Sequence, residues 1–367
     1  MHTQLLSSTQ QKVASFLVLL AAVFGMAQAQ DRMENRGAAD FDMAAYLSQL
    51  SAQGKQRGYK EVVYKQTPQG ELRIYFAMPA DWSPNDKRPA LVFFFGGGWS
   101  GGDLFSDGWV AEHFTKCGVV VGLADYRVRN RQGVMLDKCA EDARSAVRWV
   151  RANCKELGVD PERIIAGGGS AGGHIASCTA VIDAPNAETD DVRVSCIPNG
   201  LILFYPVASL VDGSRAKAFE QMLGAELARE LSPARNVTKS WPPTVLFSGT
   251  ADRNLDNGIL LHNNAKAAGV MVELYVEEGA GHGVLPTGPR DVSWLQYAAD
   301  FFMRAGVIDK GTQNETPSGT LKKYNGEPVE TIQTTPNADS TRKKIKRQGG
   351  KTKPTRPAPA SENTSKP

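Results

Sequence analysis

The stretch Gly168-Gly169-Ser170-Ala171-Gly172 fits the pattern G-x-S-x-G. Residues 163–166 before it predict a short buried strand, and residues 173–181 after it predict a helix. Small residues on both sides of Ser170 permit a sharp strand-to-helix turn, which projects the hydroxyl at the N-terminus of the helix, where negative charge is favoured. The pattern also fits a glycine-rich turn or a phosphate-binding loop with a bystander serine, so the surrounding sequence has to decide.

Apolar runs and amphipathic stretches alternate along most of the chain, which predicts an α/β fold with a mostly parallel central sheet and helices on both faces. Strands are predicted at 61–65, 71–78, 90–95, 118–123, 163–166, 201–205, 244–248 and 271–276, and helices at 108–116, 142–157, 173–181, 255–268 and 291–304. The helix at 142–157 is expected to turn Arg144, Arg148 and Arg151 outward. The segment at about 207–240 interrupts the alternation and predicts a small cap or lid over a pocket.

A serine hydroxyl needs a base within hydrogen-bonding reach before it can act as a nucleophile. His282 lies in a glycine-flanked loop after the strand at 271–276, where a mobile, exposed imidazole is expected; a turn histidine in solvent is the alternative. His174 follows Ser170 by about one helical turn and cannot easily align its ring with the hydroxyl. Three histidines in predicted helices are expected to pack or to face solvent: His113, His174 and His262.

The base needs a carboxylate to orient it, and two aspartates compete for this role. Asp252 lies in the loop that follows the strand at 244–248. Asp256 is better explained as an acidic residue in the first turn of the next helix, near the positive end of its dipole. Asp252 is therefore the predicted acid. Ser170, His282 and Asp252 would together form a catalytic triad of nucleophile, base and acid, and the chain order Ser170, Asp252, His282 is one that such triads adopt.

The stretch Phe95-Gly96-Gly97-Gly98-Trp99 directly follows the predicted strand at 90–95. Three consecutive glycines allow backbone N–H groups to turn toward a pocket and to bind negative charge. The N–H groups of Gly97, Gly98 and Ala171 are the predicted oxyanion hole. A plain flexible loop is the alternative interpretation.

Taken together, these segments resemble the α/β-hydrolases of the carboxylesterase and hormone-sensitive-lipase-like group, which includes small bacterial esterases that act on acylated carbohydrates. The resemblance covers roughly residues 60–305. The stretch at 95–99 is similar to the group's H-G-G-G-[WF] motif, and the stretch at 168–173 is similar to G-[DG]-S-A-G-G. The resemblance implies the α/β-hydrolase fold, with Ser170 as nucleophile, His282 as base and then acid, and Asp252 as the orienting carboxylate.

One position departs from the group. Phe95 stands where the group has a histidine that braces the oxyanion loop. The resemblance therefore implies a more apolar brace and a more apolar pocket mouth in this chain.

The resemblance also implies a reaction, the hydrolysis of carboxylic esters through an acyl-enzyme intermediate. Short-chain acyl or acetyl esters, including those on carbohydrates, are the expected substrates. No cofactor is expected, and no cysteine or histidine spacing indicates a metal site. Two alternatives stay open: a serine peptidase of the same fold, and a non-catalytic binding protein that keeps the hydrolase fold.

The two ends of the chain differ from the region between them. Lys12, the apolar run 13–26 and Ala27-Gln28-Ala29 fit a cleavable secretory signal over residues 1–29, which predicts export to the periplasm or the cell exterior. The segment 310–367 has 12 basic and 5 acidic residues with few large apolar ones, and predicts a disordered tail. The hydrolase domain is expected to span residues 30–309.

Charge and cysteine content limit the expected partners. The net charge of the chain is only +3, and the basic run 342–347 has no interleaved aromatic residues, so nucleic-acid binding is not expected. The apolar run near the N-terminus is shorter than the roughly 20 residues that a membrane span needs. Five cysteines permit some disulfide pairing after export, but their odd number leaves at least one outside such pairs: Cys117, Cys139, Cys154, Cys178 and Cys196.

Overall fold

The computed structural model describes residues 41–283, 292–310, 321–327 and 329 of the chain. A nine-stranded sheet in these residues has the order β1-β2-β4-β3-β5-β6-β7-β8-β9. Strands β3 to β8 are parallel, β2 and β9 run antiparallel to their neighbours in this block, and β1 pairs antiparallel with β2. The strands are β1 (Lys60–Thr67), β2 (Gly70–Ala77), β3 (Arg88–Phe94), β4 (Val120–Ala124), β5 (Val159–Gly169), β6 (Gly200–Phe204), β7 (Thr244–Gly249), β8 (Val272–Glu277) and β9 (Lys322–Lys323). The predicted α/β architecture is confirmed.

Helices connect most of the parallel strands. They are α1 (Met43–Gln56), α2 (Gly108–Lys116), α3 (Arg129–Gln132), α4 (Leu136–Ala152), α5 (Cys154–Leu157), α6 (Ala171–Cys178), α7 (Ala216–Leu223), α8 (Ala225–Glu230), α9 (Leu255–Ala267) and α10 (Ser293–Arg304), with 3₁₀ turns at Leu104–Asp107 and Pro233–Arg235. None of these helices combines the length and apolar character that crossing a bilayer requires.

The sheet order shows where a ligand site is expected. The chain moves from β3 to β4 in one direction along the sheet and from β4 past β3 to β5 in the other. Because parallel crossovers are right-handed, these opposite movements put α2 and α4 on opposite faces of the sheet. Helix α2 packs against α10, and α4 packs against α6. Such a reversal opens a crevice outside the carboxyl ends of β3 and β5, where ligands bind in doubly wound sheets.

Several boundaries and exposures differ from the sequence-based expectation. Helix α4 begins at Leu136 instead of residue 142, and helix α1 was not predicted. Arg144 and Arg148 are buried rather than turned outward. Arg144 donates to the carbonyl oxygens of Cys178 and Val181 at 3.0 and 2.6 Å, because the chain beyond α6 folds over this face of the helix.

The tail prediction also needs a correction. Lys322 and Lys323 form β9, which pairs with β8. The N–H of Tyr324 donates to the carbonyl of Leu274 at 2.7 Å, and Lys323 forms an ion pair with the buried Glu273. This short strand is ordered because it satisfies backbone groups at the edge of β8. The predicted signal segment 1–29 and most of the predicted tail lie outside the described residues.

A buried ion network fastens the antiparallel edge of the sheet to α4. The carboxylate of Asp142 is fully buried; it accepts from Lys65 at 2.6 Å and from the Arg127 guanidinium at 2.8 Å through each oxygen. The N–H of Arg127 also donates to it at 3.0 Å. Because two cations share one desolvated carboxylate, removal of its charge would leave both uncompensated.

The five cysteines form no disulfide bond with one another. Cys139 and Cys178 are fully buried, whereas Cys154 is only half-buried. The Cys139 thiol donates to the carbonyl of Arg127 at 3.1 Å. These cysteines therefore act as packing residues in this fold.

Candidate active site

Ser170 lies at the junction of β5 and α6, where the sequence predicts a sharp turn. Its φ of 53° and ψ of −116° are values that residues with a side chain rarely adopt. The N–H of Ser170 donates to the carbonyl of Phe204 at 2.9 Å, and its own carbonyl accepts from the N–H of His174 at 3.0 Å. Hydrogen bonds on both sides therefore hold the strained conformation in place.

Close contact with β3 explains the glycines around this turn. A Cβ atom on Gly172 would lie 2.0 Å from the carbonyl oxygen of Phe94, and one on Gly168 would lie 2.5 Å from the same oxygen. Neither distance leaves room for a side chain. The turn consequently packs against the end of β3 and brings Ser170 beside the loop that follows that strand.

The structure brings Ser170, His282 and Asp252 into one chain of hydrogen bonds. Oγ of Ser170 lies 2.8 Å from Nε2 of His282, and Nδ1 of the same ring lies 2.9 Å from Oδ1 of Asp252. The carboxylate accepts the proton on Nδ1, so the lone pair of Nε2 faces the serine hydroxyl. This arrangement can remove the hydroxyl proton.

Burial changes along these three side chains. The Asp252 side chain is fully buried, whereas 23% of the His282 side chain is exposed. Oδ1 of Asp252 also accepts from the N–H of Asn254 at 2.9 Å, while Oδ2 has no hydrogen-bond partner in the described residues. Asp256, the competing carboxylate, is exposed in the first turn of α9, as its position predicts.

The glycine loop after β3 passes next to Ser170. Gly97, Gly98 and Trp99 have φ values of 138°, 61° and 58°. A Cβ on Gly96 would lie 3.6 Å from Cβ of Ser170, which shows how closely the loop approaches the serine. Gly97 and Gly98 line the cleft. Ala171 is the first residue of α6, so its N–H has no acceptor within the helix.

His174 connects this glycine loop to the inserted segment 207–240. The indole N–H of Trp99 donates to Nδ1 of His174 at 3.2 Å, and Nε2 of the same ring donates to the carbonyl of Leu231 at 2.8 Å. His174 is fully buried, and burial lowers its pKa to about 4. His174 is therefore buried, as predicted for a packing residue, but its ring also joins the glycine loop to the inserted segment by hydrogen bonds, which the sequence did not predict.

Phe95 affects the loop differently from the sequence-based expectation. Its ring is buried and stacks on Tyr126 with centroids 4.3 Å apart, and the Tyr126 hydroxyl donates to its carbonyl at 2.8 Å. The apolar brace is present, but Phe95 is absent from the described cleft lining, so it does not make the pocket mouth more apolar.

The cleft above Ser170 has a volume of about 1290 Å³ and mixes aromatic with charged side chains. Tyr205 packs edge-on against His282 with ring centroids 5.2 Å apart. Burial raises the pKa of Asp107 to about 7. The described charged residues of the lining are Arg57, Asp107, Glu112, Arg215 and Arg253.

The segment predicted as a cap supplies part of this lining. It contains α7, α8 and a 3₁₀ turn, and its Val207 and Arg215 line the cleft. Phe219 of α7 packs edge-on against Trp99, with ring centroids 5.7 Å apart. The segment thus contacts the glycine loop directly.

Comparison with known proteins identifies the class that this fold and site define. Residues 91–286 match a family model described as alpha/beta hydrolase fold, so the chain belongs to that family. The resemblance to carboxylesterases within it is confirmed by the relatives.

Two bacterial esterases are similar to this chain in sequence, and one of them also in structure. An esterase from the planctomycete Thermogutta terrifontis is 37% identical, with a TM-score of 0.65, over 70% of this chain and 95% of that one. A carboxylesterase of Mycobacterium tuberculosis is 29% identical over 58% of this chain and 70% of its own length.

Plant relatives are longer than the matched region. A probable isoprenylcysteine alpha-carbonyl methylesterase of Arabidopsis thaliana is 27% identical over 61% of this chain. The chain spans about half the length of the first curated relatives that it matches.

Several residues at the site were not found from the sequence. Tyr205 and Asn254 contact His282, and Asp107 and Arg215 line the cleft. Asn254 follows Asp252 by two residues, so its proximity to the acid loop was a usable signal. The others have no distinguishing local pattern, because only the folded chain brings them to the cleft.

Proposed function

We propose that this protein is a serine esterase that hydrolyses short-chain carboxylic esters. The observation that carries the proposal is the hydrogen-bond chain from Ser170 through both ring nitrogens of His282 to Asp252, at 2.8 and 2.9 Å. The named esterase relatives support the reaction class. The Thermogutta terrifontis esterase has been solved with butyrate bound, which supports a short acyl group for this chain also.

In the first half of the reaction, Ser170 Oγ attacks the ester carbonyl carbon while Nε2 of His282 takes the hydroxyl proton. The carbonyl oxygen becomes an oxyanion, which the N–H groups of Gly97, Gly98 and Ala171 stabilise. Asp252 stabilises the imidazolium that forms. His282 then gives its proton to the departing alcohol, which leaves the acyl group on Ser170.

In the second half, His282 takes a proton from water and the hydroxide attacks the acyl-serine carbonyl. The same N–H groups stabilise the second oxyanion. His282 returns the proton to Oγ of Ser170, and the carboxylic acid leaves. The reaction consumes one ester and one water molecule and needs no redox partner.

The Ser170→Ala variant tests the nucleophile. We expect kcat on p-nitrophenyl acetate and p-nitrophenyl butyrate to fall by roughly a thousandfold or more, since only binding and oxyanion effects remain. Ser240→Ala is the matched control, because Ser240 is exposed and outside the described cleft lining. Hydrolysis by Ser170→Ala at the wild-type rate would refute the assignment.

A second variant pair tests the acid. Asp252→Asn removes the carboxylate that fixes the ring tautomer, and should lower kcat by several powers of ten. Asp256→Asn changes the exposed carboxylate in the first turn of α9 and should leave kcat near wild type. The reverse order of effects would make Asp256 the acid.

Two further assays separate the alternatives. A fluorophosphonate probe should label wild type but not Ser170→Ala; no labelling of either would favour a non-catalytic binding protein. Cleavage of a peptide panel faster than of p-nitrophenyl esters would favour a peptidase. Acetylated xylan, a triglyceride and short p-nitrophenyl esters, assayed side by side, would define the natural ester class.

We also propose that the enzyme is exported. The basic residue, short apolar run and A-x-A site within residues 1–29 support this proposal. The test is N-terminal sequencing of the mature protein after cell fractionation. A mature chain that begins near Gln30 outside the cytoplasm is expected, and an uncleaved cytoplasmic chain would contradict the proposal.

A further inference from the structure

Two arginines line the cleft on the side of the imidazole. Nη2 of Arg215 donates to Oδ1 of Asn254 at 3.0 Å, and Nδ2 of Asn254 lies 3.4 Å from Nδ1 of His282. Arg253 lies between Asp252 and Asn254 in the chain, and its side chain also lines the cleft. The Arg215 guanidinium is therefore bonded to the loop that orients the base, and Arg253 belongs to that loop.

These two arginines lack the carboxylate partners that buried cations of the core have. Neither forms an ion pair with a described residue, whereas Lys65 and Arg127 share Asp142. Burial, and then the positive charge of Arg253, lower the pKa of Arg215. The two positive charges therefore repel each other, and an anion bound to both would relieve this repulsion.

The nearby acidic groups do not serve as that anion. The carboxylate of Asp252 attracts Arg215, but its hydrogen bonds go to His282 and to the N–H of Asn254, and it forms no ion pair with either arginine. Glu112 of the cleft lining forms an ion pair with Lys116, and Asp107 has a pKa raised by burial, which disfavours its charged form. A third arginine of the cleft lining, Arg57, also forms no ion pair with a described residue, but it donates to the carbonyl of Gln53 at 3.3 Å and lies over the Phe105 ring. Beside the imidazole, the positive charge without a carboxylate partner is that of Arg215 and Arg253.

The reaction fixes which half of the ester faces this charge. Nε2 of His282 must reach the oxygen of the departing alcohol to protonate it, so the alcohol half lies on the imidazole side of Ser170. The link from Arg215 through Asn254 to His282 puts the Arg215 guanidinium on the same side, and Arg253 of the cleft lining adjoins Asn254 in the chain.

We propose that Arg215 and Arg253 form a subsite for a carboxylate on the alcohol half of the substrate, so that the preferred esters are acylated hydroxy acids, including acylated uronic acids. This inference rests on the proposed esterase function. A guanidinium group binds a carboxylate through two parallel hydrogen bonds, which gives both charge and orientation.

Matched substrates test the subsite. 4-Acetoxybenzoate and its methyl ester carry the same acetyl group and differ by one negative charge on the alcohol half. The quantity measured is the ratio of kcat/KM for the acid to kcat/KM for the methyl ester. Comparison of this ratio between wild type and variants cancels the intrinsic reactivity of the two substrates.

Arg253→Gln and the double variant Arg215→Gln/Arg253→Gln are expected to lower this ratio by about 10-fold and about 100-fold, as lost charge-assisted hydrogen bonds would. Arg253→Gln is the safer variant for folding, because Arg253 is exposed and has no hydrogen bond in the described residues. Arg253→Lys should restore part of the ratio. Added NaCl should lower the wild-type ratio, since the site is partly open to solvent.

Arg229→Gln is the matched control, since Arg229 is exposed on the same inserted segment and outside the described cleft lining. It should leave the ratio unchanged. An equal ratio in wild type and Arg253→Gln would overturn the subsite. 4-Nitrophenyl hydrogen adipate carries its carboxylate on the acyl half of the ester, and 4-nitrophenyl hexanoate is its uncharged counterpart. If wild type prefers the charged member of this pair more strongly than the charged member of the acetoxybenzoate pair, the assignment of the subsite to the alcohol half is wrong.

The two proposals fail in different ways. If wild type hydrolyses neither p-nitrophenyl acetate nor 4-acetoxybenzoate methyl ester, the esterase function itself is wrong. If it hydrolyses both neutral esters and shows no dependence on Arg215 or Arg253 for the anionic one, only the subsite is wrong.

Discussion

The His174 ring links Trp99 to Leu231 through two hydrogen bonds, and the variant His174→Phe should break both. This substitution keeps a flat ring of similar volume and removes both ring nitrogens. The indole N–H of Trp99 and the carbonyl of Leu231 then lose their partners, although both residues are buried. The substitution leaves no large cavity, so its effect comes mainly from the two lost hydrogen bonds.

The expected loss of stability follows from these two groups. Each buried polar group left without a partner costs about 1–3 kcal/mol, so His174→Phe should lower the free energy of unfolding by about 2–6 kcal/mol. The edge-on packing between Trp99 and ring 174, with centroids 5.2 Å apart, can persist and favours the lower part of this range. Urea unfolding followed by tryptophan fluorescence measures this free energy.

Activity should fall as well, because Trp99 ends the glycine loop that forms the proposed oxyanion hole. Removal of one oxyanion donor costs about 10²–10³ in kcat, so a loosened loop should cost about 10-fold or more. The expected change is in kcat with KM nearly constant, since the interaction acts mainly on the transition state. His174→Asn can keep an acceptor for Trp99 and should retain more kcat than His174→Gln, whose longer side chain reaches toward Leu231.

The same variant should alter the pH dependence of stability. Burial lowers the pKa of folded His174 to about 4, whereas an unfolded histidine titrates near 6.5. Between these values the unfolded chain binds a proton that the folded chain does not, so the free energy of unfolding falls as pH drops from about 6.5 to 4. The contribution of His174 is at most about 3 kcal/mol, and His174→Phe removes it.

His262 provides a matched control for the His174→Phe variant. His262→Phe changes another buried histidine, whose only side-chain hydrogen bond in the described residues is to Asn263, and it should preserve kcat. An unfolding free energy of His174→Phe within about 0.5 kcal/mol of wild type, with unchanged kcat, would show that the ring does not hold the loop.

Two stability predictions follow from close contacts elsewhere in the fold. Gly172→Ala should lower the free energy of unfolding, measured by urea titration, by about 3 kcal/mol or more, because the new Cβ would lie 2.0 Å from the Phe94 carbonyl oxygen. Gly101→Ala is the control: a Cβ there has no atom within 4 Å, so the loss should be less than about 1 kcal/mol. Asp142→Asn should lower the free energy of unfolding by about 3–5 kcal/mol in thermal and urea unfolding, since two buried cations lose their shared counterion. Asp191→Asn, which removes one partner of an exposed ion pair, should lower it by less than about 1 kcal/mol. Equal losses within either pair would contradict the reasoning.

Local patterns were sufficient to predict the loops that meet at the candidate site. The glycines around Ser170 are required by the short distance to β3, and such a requirement leaves its mark in the sequence itself. Asp252 and His282 could be chosen because each follows an apolar strand, and the ends of parallel strands lie at one edge of a sheet. The competing residues Asp256 and His174 lie in helices, as their sequence positions predicted.

Helix ends and exposures were less predictable from the same patterns. Arg144 and Arg148 lie on the polar side of α4, which normally indicates solvent exposure. In the fold, Asn186 and Asp190 from the chain beyond α6 accept hydrogen bonds from them. The periodicity of a single helix contains no information about a loop from another part of the chain that covers that helix.

The sequence alone determined the α/β class, the sharp turn at Ser170 and the loops that carry Asp252 and His282, because periodicity and glycine requirements act between residues close in the chain. Only the tertiary structure decided that His174 joins Trp99 to Leu231, that Arg215 and Arg253 face the cleft beside His282, and that Lys322 and Lys323 extend the sheet. Each of these features depends on polar groups that are far apart in the chain. Their partners are set by which surfaces pack together, since a buried polar group must bond to whatever the fold brings within reach.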